Sequence, residues 1–270
     1  MAMEESKFDI VRDLLADHRV LVAFSGGVDS SVLAHNAKKW AKDASLILVN
    51  SETVANEEID NAKSVANELE LDLDVVDFEW LTHGALSRNP IDRCYQCKKA
   101  LAKLWKKHAK KLGFDMVVEG TTATEMSGRR PGEQALREEG ITSPFLVAEL
   151  TKTDLRAYAR EHNLSIAERP SMACLATRFP YDTEITEDLL RKIEDFEEEI
   201  REETGVRRLR ARYHNDIVRI EVAPEERDAF FDKRILDNLH QVGKSLGFQY
   251  VTLDLRGYRS GSMDEPFCED

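Results

Sequence analysis

Val20-Leu21-Val22-Ala23-Phe24-Ser25-Gly26-Gly27-Val28-Asp29-Ser30-Ser31 is the stretch on which the fold turns. An apolar run suited to a buried strand breaks into a serine and two glycines, then resumes as a helical pattern through Val32, Leu33 and Ala34. A strand, a glycine turn and a helix N-terminus make an anion site. Unpaired backbone N–H groups converge there, and glycine lets a phosphate approach the main chain. Ser25, Ser30 and Ser31 add hydroxyl donors. No Gly-Lys-Ser/Thr follows the glycines, so this is not the lysine-bearing phosphate loop. Asp29 has the wrong charge for phosphate and makes sense if it orients a Mg2+ ion or fixes the loop.

The string resembles the Ser-Gly-Gly-x-Asp-Ser pyrophosphate loop of ATP pyrophosphatases, which split ATP between the α and β phosphates and leave an adenylated substrate. Outward from it, strand and helix alternate. Apolar strand candidates are 20–24, 46–49, 73–78, 116–119 and 144–147, with helical patterns near 32–42, 56–69, 97–111 and 153–161 between them. That alternation predicts an α/β fold, a parallel sheet with helices on both faces. Ligands of such sheets bind beyond the carboxyl ends of the strands. The loops after the first, second and fourth strands are therefore expected to surround ATP. Ser25, Gly26, Gly27 and Ser30 would hold its phosphates, with Asp29 in the same ATP-binding set through Mg2+ or the loop's shape and Ser51 a candidate for the adenosine; the ordinary alternative for Ser51 is a helix N-cap.

From Pro170 the pattern changes. A loop rich in Pro, Ser and Arg leads to a charged helix over 184–203, a hairpin over 206–222 turning at Asn215-Asp216, two helices and a last strand over 250–255. The expected organisation is an ATP pyrophosphatase domain over 1–180 and a smaller α+β domain over 181–270. Composition agrees with a globular chain, at 42% hydrophobic and 33% charged. No stretch approaches the ~20 apolar residues that cross a bilayer, and the acidic, mixed N-terminus lacks a secretory pattern. A cytoplasmic protein without a membrane partner is expected. The formal charge of −13 favours a small-molecule substrate over nucleic acid, although Arg207, Arg208, Arg210 and Arg212 form a local basic patch.

There are four cysteines, Cys94, Cys97, Cys174 and Cys268. Cys94-Tyr95-Gln96-Cys97 has the spacing that brings two sulfurs round one metal, and Cys174 lies in a loop on the expected ATP side of the sheet. Three thiolates suit zinc completed by a fourth ligand, or a [4Fe–4S] cluster with one iron free for exogenous sulfide. Unrelated structural cysteines remain the third alternative. Cys268, near the C-terminus, is not expected to be a ligand.

Together these segments resemble the LarE family of ATP-dependent sulfur transferases. The likeness runs through the loop at 25–31, Arg93-Cys94-Tyr95-Gln96-Cys97-Lys98, Arg130-Pro131-Gly132, Leu150-Thr151-Lys152-Thr153-Asp154-Leu155-Arg156 and Ala173-Cys174-Leu175-Ala176-Thr177-Arg178. It closes on Leu253-Asp254-Leu255-Arg256-Gly257-Tyr258-Arg259-Ser260-Gly261-Ser262-Met263. The resemblance implies sulfur insertion into pyridinium-3,5-biscarboxylic acid mononucleotide, on the way to a nickel-pincer nucleotide. One variant of the family sacrifices the sulfur of a single cysteine. The other has three cysteines, as here, and is similar to cluster-dependent enzymes that relay sulfide.

The resemblance therefore implies ATP, Mg2+ and a [4Fe–4S] cluster on Cys94, Cys97 and Cys174 as cofactors, with inorganic sulfide or a sulfur donor as partner. It also implies a homo-oligomer, a hexamer in the family. A nucleotide carrying carboxylates calls for arginines. Arg210 and Arg212 alternate along one strand and match the family's second-domain pair, with Arg259 next and Glu221 as a polar partner. One departure stands out: after the fourth strand the family often has an Asn/Asp-rich stretch, where this chain reads Gly120-Thr121-Thr122-Ala123-Thr124-Glu125-Met126-Ser127. The competing function is tRNA thiolation by a cluster enzyme of the same superfamily, and a third is a nucleotide-binding regulator without turnover.

Overall fold

The computed structural model describes residues 2–126, 131–170, 173–259 and 261–265. Cys268 and, within the quoted strings, Ser127, Arg130 and Ser260 lie outside the described residues. The chain forms two compact units, Met1–Glu79 with Asp92–Met172, and Trp80–Ile91 with Ala173–Asp270. The first is thus interrupted, and the loop from Ala173 groups with the second.

The first unit runs α1 (Ala2–Leu15), β1 (Arg19–Ala23), α2 (Val28–Trp40), β2 (Asp43–Asn50), α3 (Asn56–Glu68), β3 (Leu73–Asp77), α4 (Arg93–Leu112), β4 (Met116–Val118), α5 (Pro131–Glu138), α6 (Pro144–Val147) and α7 (Lys152–Glu161). Its strands pair in parallel in the order β3-β2-β1-β4. Alternate residues of a strand point to opposite faces, and both faces are covered. Val20 and Val22 join Leu15, Leu33, Val65 and Leu155 in one core. Leu21 joins Ile47, Val117, Trp105, Ala109 and Leu136 in the other. This is the expected α/β sheet with helices on both sides.

Two expectations for this unit need correction. Residues 144–147 form a helix rather than a fifth strand, with Val147 N–H donating to Ser143 O at 3.1 Å and Ala148 N–H to Pro144 O at 3.0 Å. A four-residue apolar run fits either state, and proline, lacking an N–H, suits the first helical position. The sheet gains only a single bridge there, Val118 beside Thr142. Helix α4 also starts earlier than its apolar pattern, so Cys94 and Cys97 both lie inside it.

The second unit runs α8 (Glu187–Thr204), β5 (Leu209–His214), β6 (Ile217–Val222), α9 (Lys233–Ser245) and β7 (Tyr250–Leu253). Strands β5 and β6 form the antiparallel hairpin, turned by Asn215 at φ +57, and β7 adds in parallel to β6. The segment opened by Pro224 is a 3-10 turn rather than an α-helix. Residues 80–91 are strapped to this unit by the buried Asn89, whose Nδ2 donates to Phe179 O at 3.2 Å and Pro180 O at 2.6 Å. Among the described residues no helix is long and apolar enough to cross a membrane.

Candidate active site

The anion loop sits where β1 ends and α2 begins. Gly26 has φ +71, and a Cβ there would lie 2.7 Å from Ala62 Cα and 2.8 Å from Asn61 Nδ2, so the turn against α3 admits only glycine. Asn61 Nδ2 also donates to Gly26 O at 3.0 Å, pinning the loop. Gly27 is the N-cap of α2 and leaves its main chain open. Ser30 Oγ lies 3.2 Å from Ser25 Oγ and from Ser25 N, and donates to Gly27 O at 3.1 Å. The hydroxyls are thereby held in a tight turn beneath exposed Ser25.

Asp29 is anchored by Lys152 of α7, whose Nζ donates to Asp29 Oδ2. Its other oxygen, Oδ1, is buried without a partner among the described residues. Burial pushes the Asp29 carboxyl above the usual carboxylate range despite the opposing pull of Lys152. Gly120, after β4, approaches this turn so closely that a Cβ would lie 3.1 Å from Asp29 C and Ser30 N. The neighbouring Thr122 is fully buried, and its Oγ1 has no partner among the described residues. Buried Glu119 accepts from Thr121 N–H at 3.1 Å and Thr121 Oγ1 at 2.8 Å, and from Ser143 Oγ. Gly120, at the start of the segment that departs from the family pattern, thus packs directly against the loop. Ser51, after β2, lies 3.2 Å from Thr53 Oγ1; it is not the N-cap of α3, which is Ala55.

Cys94 is exposed and Cys97 half-buried, one turn apart on α4. Arg93 Nη2 stands 3.7 Å from Cys94 Sγ. Helix α5 packs close by, since a Cβ on Gly132 would lie 3.1 Å from Lys98 Cγ and 3.8 Å from Cys94 O. Cys174, also exposed and free, belongs to the second unit. The three thiols have the soft donor chemistry of a zinc or iron–sulfur site. Among the described residues, however, no group of three or more His, Cys, Asp or Glu side chains is gathered so as to hold a metal.

Within the second unit the cysteine loop is wired to the arginines. Thr177 N–H donates to Cys174 O at 2.9 Å, and Arg178 Nη1 donates to Ala173 O at 2.6 Å and Cys174 O at 3.2 Å. The Arg178 guanidinium is buried against Glu197, with both bonds at 2.9 Å. Burial pushes the Glu197 carboxyl up, and Arg178, joined by Arg210 and the Ala211 N–H, more than offsets it, so it ends below the usual range. Arg212 Nη1 donates to Thr177 O at 3.0 Å and its Nε to Glu221 Oε2 at 3.0 Å. Glu221, fully buried, also accepts from Arg219 Nη2 and Ser262 Oγ, both at 3.0 Å.

Arg210 is buried, with its guanidinium 5.3 Å from the centre of the Tyr258 ring. Burial and then Arg178 push its pKa down to about 10. Arg259 is half-buried between Asp254 Oδ2 at 3.3 Å and Glu265 Oε2 at 2.8 Å. Arg212 and Glu221 therefore share one hydrogen-bonded network with the Cys174 loop. Arg210 instead donates to Leu209 O at 2.6 Å. Arg259 lies in an acidic clasp, linked through Asp254 to Arg219 at 3.6 Å. Lys152 and Arg178 are site residues that sequence reasoning left unassigned; both lie inside strings it had quoted.

A family model described as queuosine biosynthesis protein QueC matches residues 19–103. The chain is 34% identical over 261 residues to a pyridinium-3,5-bisthiocarboxylic acid mononucleotide synthase of Lactiplantibacillus plantarum, covering 96% of this chain and 94% of that one. It is 33% identical over 264 residues to an uncharacterized protein of Synechocystis sp., covering 97% and 98%. A tRNA(Ile)-lysidine synthase of Pseudomonas fluorescens is 29% identical over 166 residues, covering 56% of this chain and 37% of that one.

Proposed function

The chain belongs to the LarE family of ATP-dependent sulfur transferases, and from that premise we propose that it adenylates a carboxylate of pyridinium-3,5-biscarboxylic acid mononucleotide and replaces the activated oxygen by sulfur. The observation that carries this function is the bond from Arg212 to Thr177 O in the Cys174 loop. It ties side chains suited to an anionic acceptor to a loop that bears a sulfur ligand.

A carboxylate resists substitution because its leaving group would be an oxide; transfer to AMP supplies a good one. The amides and hydroxyls of Ser25–Ser30 receive the departing pyrophosphate, and Asp29, with one oxygen unpartnered among the described residues, is the residue to hold Mg2+ against it. Ser51 is assigned to the adenosine. Arg210 and Arg212 bind the phosphate and carboxylates of the acceptor, with Arg259 and Glu221 ordering them. Cys94, Cys97 and Cys174 would serve as the ligands of a [4Fe–4S] cluster, three thiols outside any disulfide whose donor type suits it. A [4Fe–4S] cluster on three cysteines supplies an iron position open to inorganic sulfide or a sulfur donor.

Such thiols need a reducing compartment, which favours the cytoplasm. A homo-oligomer, hexameric by family analogy and joined through the second units, belongs to the same proposal. It is supported by exposed Phe231, Tyr250 and Leu255, at 74%, 60% and 87%.

The test is anaerobic purification with iron and sulfide analysis, a visible spectrum of wild type and Cys97→Ser, and assay of AMP, pyrophosphate and acceptor mass. Four irons per chain, lost in the variant, and a sulfur-for-oxygen mass change are expected. A single iron or zinc per chain overturns the cluster. ATP cleavage with a tRNA acceptor but not with the pyridinium nucleotide overturns the substrate.

A further inference from the structure

The anion loop carries no lysine of its own, yet the fold delivers one. Lys152 is the first residue of α7, where the positive end of the helix dipole makes a cation unfavourable. The helix end itself is satisfied without it. Thr151 caps Asp154 N–H, and the Asp154 carboxylate accepts from Thr151 N–H at 2.8 Å. Lys152 N–H donates to Thr124 Oγ1 at 3.0 Å, so its backbone is fixed beside the segment that follows β4. Its side chain then crosses to Asp29, the acidic residue of the loop. At that contact Asp29 Oδ1 is buried with no partner among the described residues, and so is Thr122 Oγ1, two residues after the Gly120 that abuts Asp29. Gly120 brings its main chain against Asp29, where a Cβ would lie 3.2 Å from Asp29 Cβ.

We propose that Lys152 is the phosphate-binding cation of the loop, held on Asp29 until a nucleotide and its divalent cation arrive. The metal then takes the place of the ammonium at Asp29, and Lys152 Nζ turns to the oxygens of the β and γ phosphates. There it neutralises the pyrophosphate as the bond from the α-phosphorus to the bridging oxygen breaks and the acceptor oxygen bonds to that phosphorus. No proton changes hands in this exchange; one ion pair is traded for two. The inference rests on the ATP-cleaving function proposed above and adds the source of the positive charge that the loop sequence lacks.

The test uses inorganic pyrophosphate as probe, by calorimetry on the full-length chain at fixed Mg2+, beside an assay of pyrophosphate release from ATP. Lys152→Met is expected to weaken pyrophosphate binding at least about tenfold, the scale of a lost charge-assisted hydrogen bond. It should also lower kcat more than it raises the KM for ATP. Lys152→Arg restores most of the binding because charge and reach are kept. In titrations with Mg2+ alone, Lys152→Met binds the ion more tightly than wild type, since Asp29 is no longer occupied. Thr151→Ala damages the same helix end but keeps pyrophosphate affinity within about twofold.

Pyrophosphate affinity unchanged in Lys152→Met, or lost equally in Thr151→Ala, makes Lys152 a structural pin and overturns the inference. A wild-type chain that binds pyrophosphate yet releases none from ATP with any acceptor instead sinks the proposed function. Circular dichroism of each variant separates loss of fold from loss of binding.

Discussion

Gly26 and Gly27 stand side by side in the loop, and the structure assigns them opposite tolerances. Gly26→Ala places a side chain on a backbone at φ +71, costing roughly 1–2 kcal/mol. The new Cβ also lies 2.7 Å from Ala62 Cα, a main-chain atom of α3 that moves only with its helix. Overpacking of this kind costs about 1–3 kcal/mol more. The sum, about 2–5 kcal/mol, is a large fraction of the 5–15 kcal/mol that typically holds a domain folded. If the loop yields instead of the helix, the anion site opens and ATP cleavage falls. Gly27→Ala has an ordinary φ of −80, and its Cβ would lie 3.5 Å from Ser25 Oγ, a normal contact. Its effect on stability should stay within about 0.5 kcal/mol. Urea unfolding followed by circular dichroism measures both, with pyrophosphate release as the second readout. Wild-type stability and turnover in Gly26→Ala, or a larger loss in Gly27→Ala, would refute the packing described for this turn.

Glu197→Gln removes the carboxylate that neutralises buried Arg178 and should destabilise the chain by about 3–5 kcal/mol, seen as an early transition in denaturant. A loss under 1 kcal/mol, on the order of an exposed pair, would contradict the burial described. The thermal midpoint should also fall between about pH 7 and pH 5, since burial, followed by His162 and nearby lysines, holds His35 below its ordinary pKa of 6.5. On acidification the unfolded chain takes up that proton first, so stability is full above 6.5 and is lost as pH drops through the folded value. His35→Gln should flatten that slope, and an unchanged slope assigns the effect elsewhere, with His214, similarly lowered, the next candidate.

The parallel sheet was legible because each strand is a short apolar run bounded by turn residues, and the anion loop because its chemistry is local. Residues 144–147 were misread for want of length: four apolar residues carry no period, and only the tertiary position decides between a ladder and a helical turn. The burial of Arg210 and Arg212 was hidden for another reason. Strand alternation shows that they share a face, but Thr177 and Glu221 beside Arg212 and Tyr258 beside Arg210 are fixed by the fold, as is the reach of Lys152 across 123 residues. The donor chemistry of the three cysteines could be read from their type and spacing; that Cys94 and Cys97 fall in one compact unit and Cys174 in the other could not, because the boundary is set by tertiary packing.

The chain leaves its first unit at residue 80, visits the second, and returns at 92 before leaving again after 172. During synthesis the buried amide of Asn89 therefore emerges long before the carbonyls of Phe179 and Pro180 that will receive it. A gene fragment stopping at 172 would strand that amide with neither acceptor. The nucleotide-handling half cannot be lifted out by a single cut, so recombination is expected to inherit the two halves together.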